Sequence, residues 1–374
     1  MSKIIQTNSE NFASKGIFLG SRVTFKDRIL KLISKFIYYK IIKFFMRKVF
    51  LEFSFECTNI CNANCSFCGY RFMRRKKTKI NEEIFFKCVD QYDKLGGGTL
   101  NFTPTVGDPL VDKNLLEKIK YAKNKKNIYS ITSYTNGILL DRFGFKNILT
   151  SGITRLGIST YIGTSEGYKK FYGKDQYKRV INNIVELAKL NSELNFPVGI
   201  TLHLRLDGNI SNWERSEDFV RINQYIPKKN ITYLKMYDSW NGLIDIDDIP
   251  ENCEIDDFSE SEEVKKKSGP CFELYRALHV MSDSNVGACV CKDMEGEISV
   301  GNAKNDTLEQ IWKGKKLENY RSNWGNNIPE VCKTCTRYMP VDDYIKKSKP
   351  YLTKKLLKKF FKSFSPQKLN NVSN

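Results

Sequence analysis

The sequence predicts an α/β protein built around a parallel β-sheet. Extended and helical stretches alternate from residue 50 onward, and six strand–helix units can be counted along the first 250 residues. Such alternation implies parallel strands with helical crossovers between them. The chain has 374 residues, of which 41% are hydrophobic and 28% charged, as in an ordinary globular protein. It is long enough for one large domain and a small one.

Hydrophobic periodicity places the individual elements in order. Apolar alternation indicates a first strand over 50–55, directly before a cysteine-rich loop. The other predicted elements are helices over 81–94, 113–126, 143–149, 176–191 and 213–225, and strands over 99–103, 127–134, 153–161, 197–205 and 231–237. In parallel barrels, chemistry is carried at the C-terminal ends of the strands, which is where the cysteine-rich loop lies.

Four cysteines, Cys57, Cys61, Cys65 and Cys68, fall within twelve residues after the first strand. Interspersed asparagines and a glycine favour a loop rather than a helix. The last three have the spacing Cys-x3-Cys-x2-Cys, and three thiolates on one loop suit a soft metal centre rather than a disulfide. A cubane iron–sulfur cluster normally takes four thiolates. Three would leave one iron open to a further ligand, as in a catalytic metal site.

The segment Cys61-x3-Cys65-Ser66-Phe67-Cys68 closely resembles the signature of the radical S-adenosylmethionine (SAM) enzymes. The resemblance implies an open, TIM-like partial (β/α)6 barrel in which these three cysteines hold a [4Fe–4S] cluster. In that family the open iron chelates SAM, and an electron from the cluster splits SAM into methionine and a 5′-deoxyadenosyl radical that abstracts a substrate hydrogen. It also implies that Phe67 lies beside the bound cofactor.

A different set of three ligands is also possible from the sequence, namely Cys57-x3-Cys61-x3-Cys65, which would use Cys57 in place of Cys68. That set breaks the family spacing and uses a residue at the end of a strand, so we expect Cys57 to be a small buried residue. A zinc knuckle or a set of inert thiols is the alternative reading of the loop, since short cysteine spacings also occur in zinc sites.

The segment 105–110 after the second strand, Thr-Val-Gly-Asp-Pro-Leu, looks like the family's Gly-Gly-Glu-Pro segment, which holds the SAM amino group. The resemblance assigns that contact to Gly107 and Asp108. Asp108 replaces the usual glutamate and Val106 the first glycine, so the acid is kept with a shorter reach. Read without the resemblance, Gly-Asp-Pro is a common turn composition.

Later strand ends carry further similarities to the family. The tripeptide 135–137, Thr-Asn-Gly, recurs there, although alone it indicates only a turn. Ser159 ends the fourth strand where relatives often place a polar SAM contact. Arg205 could pair with the SAM carboxylate through a bidentate fork. In a regular strand His203 shares the face of Arg205, but a lone histidine is more often structural than catalytic.

A second set of cysteines follows residue 270. Cys332-x2-Cys335 is typical of a metal knuckle, and 279–289 indicates a hairpin that ends at Cys289. The spacing Cys271-x17-Cys289-x42-Cys332-x2-Cys335 resembles the single-cluster, twitch form of the SPASM extension of radical SAM enzymes. The resemblance implies that these four cysteines bind an auxiliary [4Fe–4S] cluster. Zinc is the alternative, because four-cysteine sites are chemically ambiguous.

Three cysteines remain outside both sets. Cys291 could be a structural neighbour, an alternative ligand or a catalytic donor of a hydrogen atom to a substrate radical. Cys253 is a second candidate donor, and Cys88, inside a predicted helix, is expected in the core. Asp238, after the sixth strand, is a candidate catalytic contact to the substrate.

Charge is concentrated at the two ends of the chain. Of the net charge of +19, residues 1–50 carry +9 and residues 344–374 carry +9, which leaves +1 for the body. A near-neutral body argues against nucleic-acid binding. We expect a basic N-terminal extension over 1–50, the barrel over 51–250, a linker over 251–269, an iron–sulfur domain over 270–340 and a basic tail over 341–374.

Both ends have the pattern of basic amphipathic helices, over 28–50 and again in the tail. Such helices suit an anionic membrane surface, or they pack on the barrel with their basic residues in water. Eleven cysteines without a secretory signal indicate a reducing cytoplasm. No apolar stretch is long enough for a transmembrane helix. We therefore expect a cytoplasmic protein, with association at the inner membrane surface as an open possibility.

These observations lead to an expected function. By analogy with single-cluster aminocyclitol dehydrogenases, the resemblance implies an oxidoreductase that acts on a sugar, a polyol or a lipid-linked sugar and receives electrons from a flavodoxin or ferredoxin. An epimerase or peptide-modifying radical SAM enzyme is the first alternative. A zinc-binding adaptor at a membrane surface is the alternative from another class.

Overall fold

The computed structural model describes residues 25–206, 210–250, 253–256, 266–326 and 328–348. Its α-helices are α1 (Phe25–Lys48), α2 (Glu82–Lys94), α3 (Leu115–Lys123), α4 (Leu140–Phe143), α5 (Phe145–Thr150), α6 (Ser165–Tyr172), α7 (Tyr177–Glu193), α8 (Ile210–Glu214), α9 (Glu217–Asn223), α10 (Glu273–Arg276), α11 (Leu308–Trp312), α12 (Lys315–Ser322), α13 (Glu330–Lys333) and α14 (Val341–Lys347). Its strands are β1 (Glu52–Phe55), β2 (Gly98–Asn101), β3 (Ile128–Thr135), β4 (Arg155–Thr160), β5 (Gly199–Arg205), β6 (Ile231–Leu234), β7 (Met236–Asp238), β8 (Glu254–Asp256), β9 (Ala277–Val280), β10 (Asn285–Gly287) and β11 (Ser299–Asn302).

The main sheet is open and mostly parallel. Its strand order is β11-β10-β9-β1-β2-β3-β4-β5-β6. Within it, the five neighbouring pairs from β1–β2 to β5–β6 are all parallel. This arrangement confirms the predicted α/β class and its six parallel strands. Within the described residues the sheet does not close into a barrel, because β6 and β11 stand at opposite ends of the strand order.

The C-terminal strands extend this same sheet. β9 pairs in parallel with β1, with Leu278 opposite Phe53, and β10 and β11 continue the sheet as antiparallel neighbours. The hairpin predicted over 279–289 is therefore formed by β9 and β10. As a result, the segments that carry the two cysteine sets are joined by backbone hydrogen bonds between neighbouring strands.

Several elements differ from the sequence-based boundaries. The strand predicted over 231–237 ends at Leu234, and β7 then pairs with β8 in a separate two-stranded sheet. The helix predicted over 213–225 is divided where the Ser216 hydroxyl caps α9. The helix predicted over 143–149 is divided at Gly144, whose φ is +74°. Helix α6 was not predicted, although Thr164 caps its start and Gly173, in the left-handed conformation, ends it.

The two faces of β1 have different roles. Phe53 and Phe55 are fully buried, with ring centroids 5.1 Å from Tyr92 and 4.8 Å from Phe85 of α2, respectively. Because side chains alternate along a strand, the neighbouring Ser54 and the following Glu56 lie on the opposite face. The aromatic face forms the core against the helices. The polar face is left for the site.

The chain divides into two compact units, Met1–Ile41 and Ile42–Asn374. The described part of the first is the portion of α1 that ends at Ile41, and the second contains the sheet and both cysteine sets. The predicted amphipathic tail beyond residue 348 lies outside the described residues, so its association with a membrane stays a prediction. Among the described helices, none has both the length and the apolar character needed to cross a membrane.

Candidate functional site

Cys61, Cys65 and Cys68 lie on the loop between β1 and α2, at the C-terminal edge of the sheet. The backbone N–H of Ala63 donates to Cys61 Sγ at 3.5 Å, and that of Tyr70 donates to Cys68 Sγ at 3.5 Å. The loop is also bound to α6, where the carbonyl groups of Tyr172 and Phe171 accept hydrogen bonds from two loop N–H groups at 3.0 and 2.9 Å. The unpredicted helix α6 therefore holds the cysteine loop in place.

The chemistry of this loop fits a cluster that binds through thiolates. Burial raises the pKa of Cys61 to about 12 and also raises the pKa values of Cys65 and Cys68. Buried thiolates need a nearby positive charge, which iron supplies, and N–H donors to sulfur stabilise the thiolate form. Within the described residues, no group of three or more His, Cys, Asp or Glu side chains converges on a single metal ion. A cluster has a different requirement, because each cysteine thiolate binds a separate iron.

The segment 105–110 packs directly against the cysteine loop. Gly107 has a φ of +119°, and a Cβ atom there would lie 3.0 Å from the carbonyl carbon of Asn59 and 3.1 Å from the carbonyl oxygen of Thr58. The N–H of the next residue, Asp108, donates to the carbonyl of Ile60 at 3.1 Å. Only glycine can follow this backbone path without strain and without pushing the loop away.

Asp108 is 2% exposed, and its carboxylate joins its own segment to the end of β3. It accepts hydrogen bonds from the N–H of Leu110 at 2.9 Å, the hydroxyl of Thr135 at 2.9 Å and the N–H of Asn136 at 2.8 Å. Asn136 Nδ2 in turn lies 3.9 Å from Cys61 Sγ. The structure thus places the predicted SAM contact as a link between the ends of β2 and β3, beside the cysteine loop.

Burial raises the pKa of Asp108, whereas the hydrogen bonds to its carboxylate oppose that rise. The Thr-Asn-Gly tripeptide, which sequence reasoning left as a turn signal, supplies two of those hydrogen bonds.

Arg205, at the end of β5, lies over two aromatic rings near the cysteine loop. Its guanidinium carbon is 4.7 Å from the ring centroid of Phe67 and 5.3 Å from that of Tyr237. Its Nε is buried and, in the described part of the chain, has no hydrogen-bond partner. Burial raises the pKa of Cys65, and the charge of Arg205 opposes that rise. The predicted carboxylate-binding arginine therefore keeps an unused donor beside the loop.

Polar and aromatic side chains meet on the inner face of β3, β4 and β5. The ring of His203 lies 5.0 Å from that of Tyr134, and its Nε2 is 3.3 Å from the hydroxyl oxygen of Thr201. Ser159 on β4 is the register partner of His203. Burial lowers the pKa of His203, and the charge of Arg205 lowers it further. A neutral imidazole therefore faces this side of the sheet at neutral pH.

Sequence reasoning missed a buried carboxylate, Glu56, at the end of β1. It is fully buried and accepts hydrogen bonds from Arg75 Nη2 at 2.9 Å and from the hydroxyl of Ser282 at 2.7 Å. His279 Nε2 lies 4.0 Å from Glu56 Oε2 and 3.5 Å from the hydroxyl of Thr105. A single acid at the end of an apolar strand was the available signal, and its partners are distant in sequence.

The second cysteine set surrounds one cavity. Cys271, Cys289, Cys332 and Cys335 line one small cavity, together with mainly apolar side chains. Burial raises the pKa values of all four thiols. Four thiols around an apolar cavity fit an auxiliary [4Fe–4S] cluster.

Cys291 lines the same cavity, and its thiol donates to Glu273 Oε1 at 3.2 Å. Glu273 is in turn bound by Arg276 Nη2 at 2.8 Å. The structure therefore places this candidate hydrogen-atom donor in the wall of the auxiliary cavity. Cys57 and Cys88 are each 1% exposed, as expected of small core residues.

Asp238, the candidate substrate contact, is bound by two cations. Its carboxylate lies 2.8 Å from Lys292 Nζ and 3.1 Å from Arg337 Nε. Burial acts to raise the pKa of Asp238, but Lys292 and the other donors outweigh it and the pKa is lowered. A carboxylate held in this way is a weak base, and the substrate contact expected of Asp238 stays a prediction.

Comparisons with known proteins agree with these two centres. A family model described as the radical SAM superfamily matches residues 55–206, and one described as an iron–sulfur cluster-binding domain matches residues 271–336. A probable GTP 3′,8-cyclase of Saccharolobus islandicus strain M.14.25 is 22% identical over 213 residues, covering 56% of this chain. A GTP 3′,8-cyclase of Alkaliphilus metalliredigens is 27% identical over 135 residues, covering 36% of this chain and 42% of its own length. The chain spans 65% of the Saccharolobus relative.

Among solved structures, BtrN in complex with AdoMet and 2-DOIA has a TM-score of 0.49 and 16% identity, and the alignment covers 77% of this chain and 93% of that chain. Streptococcus suis SuiB bound to S-adenosylmethionine has a TM-score of 0.48 and 16% identity, with coverage of 80% and 75%.

Substituting Gly107→Ala should reduce iron binding at the first cysteine set. The new Cβ would meet the loop backbone at 3.0 Å, whereas Gly242→Ala is a matched control with a φ of +84° and no atom within 4 Å of its Cβ. Both variants carry a backbone cost of about 1–2 kcal/mol, but only the first displaces the loop. We expect about four fewer irons per chain in Gly107→Ala after anaerobic reconstitution. Equal iron content in the two variants would contradict the prediction.

His279 should make the metal-free protein less stable in mild acid. Burial, which outweighs the opposing charge of Glu56, lowers the pKa of His279 to about 4. Between the ordinary histidine pKa of about 6.5 and the lowered value of about 4, His279 is protonated in the unfolded chain but neutral in the folded one. The free energy of unfolding therefore falls as the pH drops through this range. The loss should reach on the order of 3 kcal/mol between pH 6.5 and 4. Urea unfolding from pH 7 to 5 should show a shallower pH slope for His279→Gln, and identical slopes would refute this account.

Proposed function

Because the chain belongs to the radical SAM superfamily and carries a C-terminal SPASM-type cluster-binding domain, we propose that it oxidises a hydroxyl-bearing carbon of a sugar or polyol. Its cofactors are a SAM-binding [4Fe–4S] cluster, an auxiliary cluster and SAM. The observation that carries the proposal is the cavity that Cys271, Cys289, Cys332 and Cys335 line together. Those four thiols suit one closed auxiliary cluster, which can accept the second electron of a two-electron oxidation.

Residues on the first cysteine loop and at nearby strand ends would hold the first cluster and SAM. Cys61, Cys65 and Cys68 would hold the first cluster, and Arg205, with its unused Nε, would bind the SAM carboxylate. When bound, cluster and SAM together supply a 5′-deoxyadenosyl radical for hydrogen abstraction. Gly107 lets the segment 105–110 approach closely, so that its backbone groups would orient the amino end of SAM.

We assign the removal of the hydroxyl proton to His203. Its pKa is lowered by burial and by Arg205, so the imidazole is neutral and can accept a proton at neutral pH. The adjacent ring of Tyr134, 45% exposed on the same face, offers an apolar surface against which a sugar ring can pack. Ser159 and Thr201 would provide hydroxyl groups for further hydrogen bonds.

Two of the cations near the loop are already paired with carboxylates, which weighs against a nucleoside triphosphate as the substrate. The relatives named GTP 3′,8-cyclases raise that possibility. Arg71 is paired with Asp248 at 2.6 Å, and Arg75 is paired with the buried Glu56. A triphosphate needs several cations that are free to bind it, whereas these two are already neutralised. A lipid-linked sugar remains within the proposed substrate class.

We propose a flavodoxin or a ferredoxin as the electron donor.

Epimerisation is the second candidate, favoured by the position of Cys253. This thiol is buried and donates to the carbonyl oxygen of Leu206 at 3.0 Å, next to Arg205 at the end of β5. Cys253 is therefore bound to the residue that follows Arg205, the proposed ligand of the SAM carboxylate. Transfer of a hydrogen atom from the Cys253 thiol to a substrate radical would invert a carbon centre without net oxidation of the substrate, and one electron from the proposed flavodoxin or ferredoxin, with one proton, would reduce the resulting thiyl radical.

An anaerobic assay with SAM and a panel of sugars and polyols tests the proposal. We expect 5′-deoxyadenosine to form in step with a ketone product, and His203→Gln to lower the oxidation rate about 100-fold. In the wild type, the rate should be lost as pH falls below the lowered pKa of His203, because the protonated imidazole cannot accept a proton. A Cys88→Ala variant serves as a control.

Two outcomes would overturn the proposed oxidation. One is 5′-deoxyadenosine formation with uptake of solvent deuterium and no net oxidation, abolished by Cys253→Ala, which would establish the epimerase. The other is an unchanged pH–rate profile in His203→Gln, which would remove His203 from the proton-transfer step.

A further inference from the structure

One carboxylate touches the segment that follows the last cysteine of the auxiliary set. Asp238 accepts hydrogen bonds from the hydroxyl of Thr336 at 3.2 Å and from Arg337 Nε at 3.1 Å, and these residues directly follow Cys335. Its third partner is Lys292 Nζ, at 2.8 Å. The side chain of Asp238 is 11% exposed and that of Lys292 is 9% exposed. Removing the carboxylate of Asp238 would leave the largely buried ammonium of Lys292 without this partner.

The same group of residues touches the segment after the last cysteine of the first set. A Cβ atom on Gly69, the residue after Cys68, would lie 2.6 Å from Cε3 of Trp240. Lys292 Nζ is 3.9 Å from the centroid of the Trp240 ring, which is within the range of a cation–π interaction. The N–H of Trp240 donates to Asp238 Oδ1 at 2.7 Å. Trp240 adopts a φ of +47°, an uncommon conformation for a bulky residue that this hydrogen bond helps to hold.

Lys292 lies between the segments that follow the two cysteine sets. Its Nζ is 2.8 Å from the carboxylate of Asp238, which binds the residue after Cys335, and 3.9 Å from the ring of Trp240, which packs against the residue after Cys68. Lys292 and Arg337 share the single carboxylate of Asp238, so this group of three side chains carries one net positive charge. A charge that is largely buried, like that of Lys292, is screened less by water and salt than an exposed one. Lys292 is therefore in a position to influence two metal centres at once.

We propose that Asp238, Trp240 and Lys292 form a shared wall between the two cysteine centres, in which Asp238 is the positioning residue and Lys292 is a buried cation common to both. Asp238 fixes the segment after Cys335, while Trp240 fixes the segment after Cys68. This role differs from the substrate contact expected of Asp238. The inference uses the two clusters on which the proposed function also rests, but it needs no substrate.

The electrostatic consequence can be measured. A cluster gains negative charge when it is reduced, so a nearby buried cation favours the reduced form, and net charge near a cluster is one of the factors that set its potential. Loss of the Lys292 charge should shift the reduction equilibrium of each cluster toward the oxidised form by about tenfold. For a one-electron couple this is a fall of about 59 mV in the midpoint potential.

The test is a redox titration of the reconstituted protein followed by electron paramagnetic resonance, without substrate. Lys292→Met removes the charge and keeps a similar side-chain length, Lys292→Arg keeps the charge, and Lys333→Met removes a 55% exposed charge beside Cys332. We expect both midpoint potentials to fall in Lys292→Met and to change little in the other two variants. If the midpoint potential of only one cluster falls in Lys292→Met, or that of neither, Lys292 is not a cation shared by the two clusters.

The positioning role is tested in the iron-free chain by hydrogen–deuterium exchange. Asp238→Asn should increase exchange in both 69–72 and 335–338, whereas Asp342→Asn, which removes a 52% exposed partner of Lys43, should leave both unchanged. If hydrogen exchange in 69–72 and 335–338 is unchanged in Asp238→Asn, the proposed positioning role of Asp238 is wrong. Neither measurement uses a substrate. The shared wall can therefore be confirmed even if the chain does not oxidise sugars, and it can be refuted even if the chain does.

Discussion

The site depends on the close approach of the segment 105–110 to the cysteine loop. Gly107 brings the two backbones to van der Waals distance, and the buried carboxylate of Asp108 then connects that segment to the end of β3. An aspartate with one methylene fewer than glutamate is well suited to this short span, because its oxygens reach only neighbouring N–H and hydroxyl groups. Burial of this carboxylate without a partner would be costly, so the hydrogen bonds that satisfy it also fix the loop geometry.

Much of the fold could be predicted, and metal ligands could be assigned as a hypothesis, because the signals are local. The spacing of Cys61, Cys65 and Cys68 is a property of one loop, and the alternation of strands and helices is a property of short windows. The roles of individual site residues are harder to predict, because they depend on which distant segments meet. Asp238 illustrates this point, since its cationic partners are more than fifty residues away in sequence.

The errors in element boundaries have the same origin. The stretch 231–237 is apolar and extended throughout, but only its first half finds a neighbour in the main sheet, and the second half pairs with β8. Helix α6 has only eight residues, so its pattern spans little more than two turns and is easily overlooked. Its value to the protein comes from the carbonyl groups that bind the cysteine loop, which no local pattern reveals.

The pairing of β1 with β9 has a consequence for how the protein is made. β1 lies between β2 and a strand that is encoded more than two hundred residues later, and Leu51 and Glu56 donate backbone hydrogen bonds to Arg276 and Val280. Contacts of such long sequence separation form slowly, because a long loop must close first. During synthesis on the ribosome, the strand that leads into the first cysteine loop therefore keeps an unpaired edge until residues 277–280 have emerged.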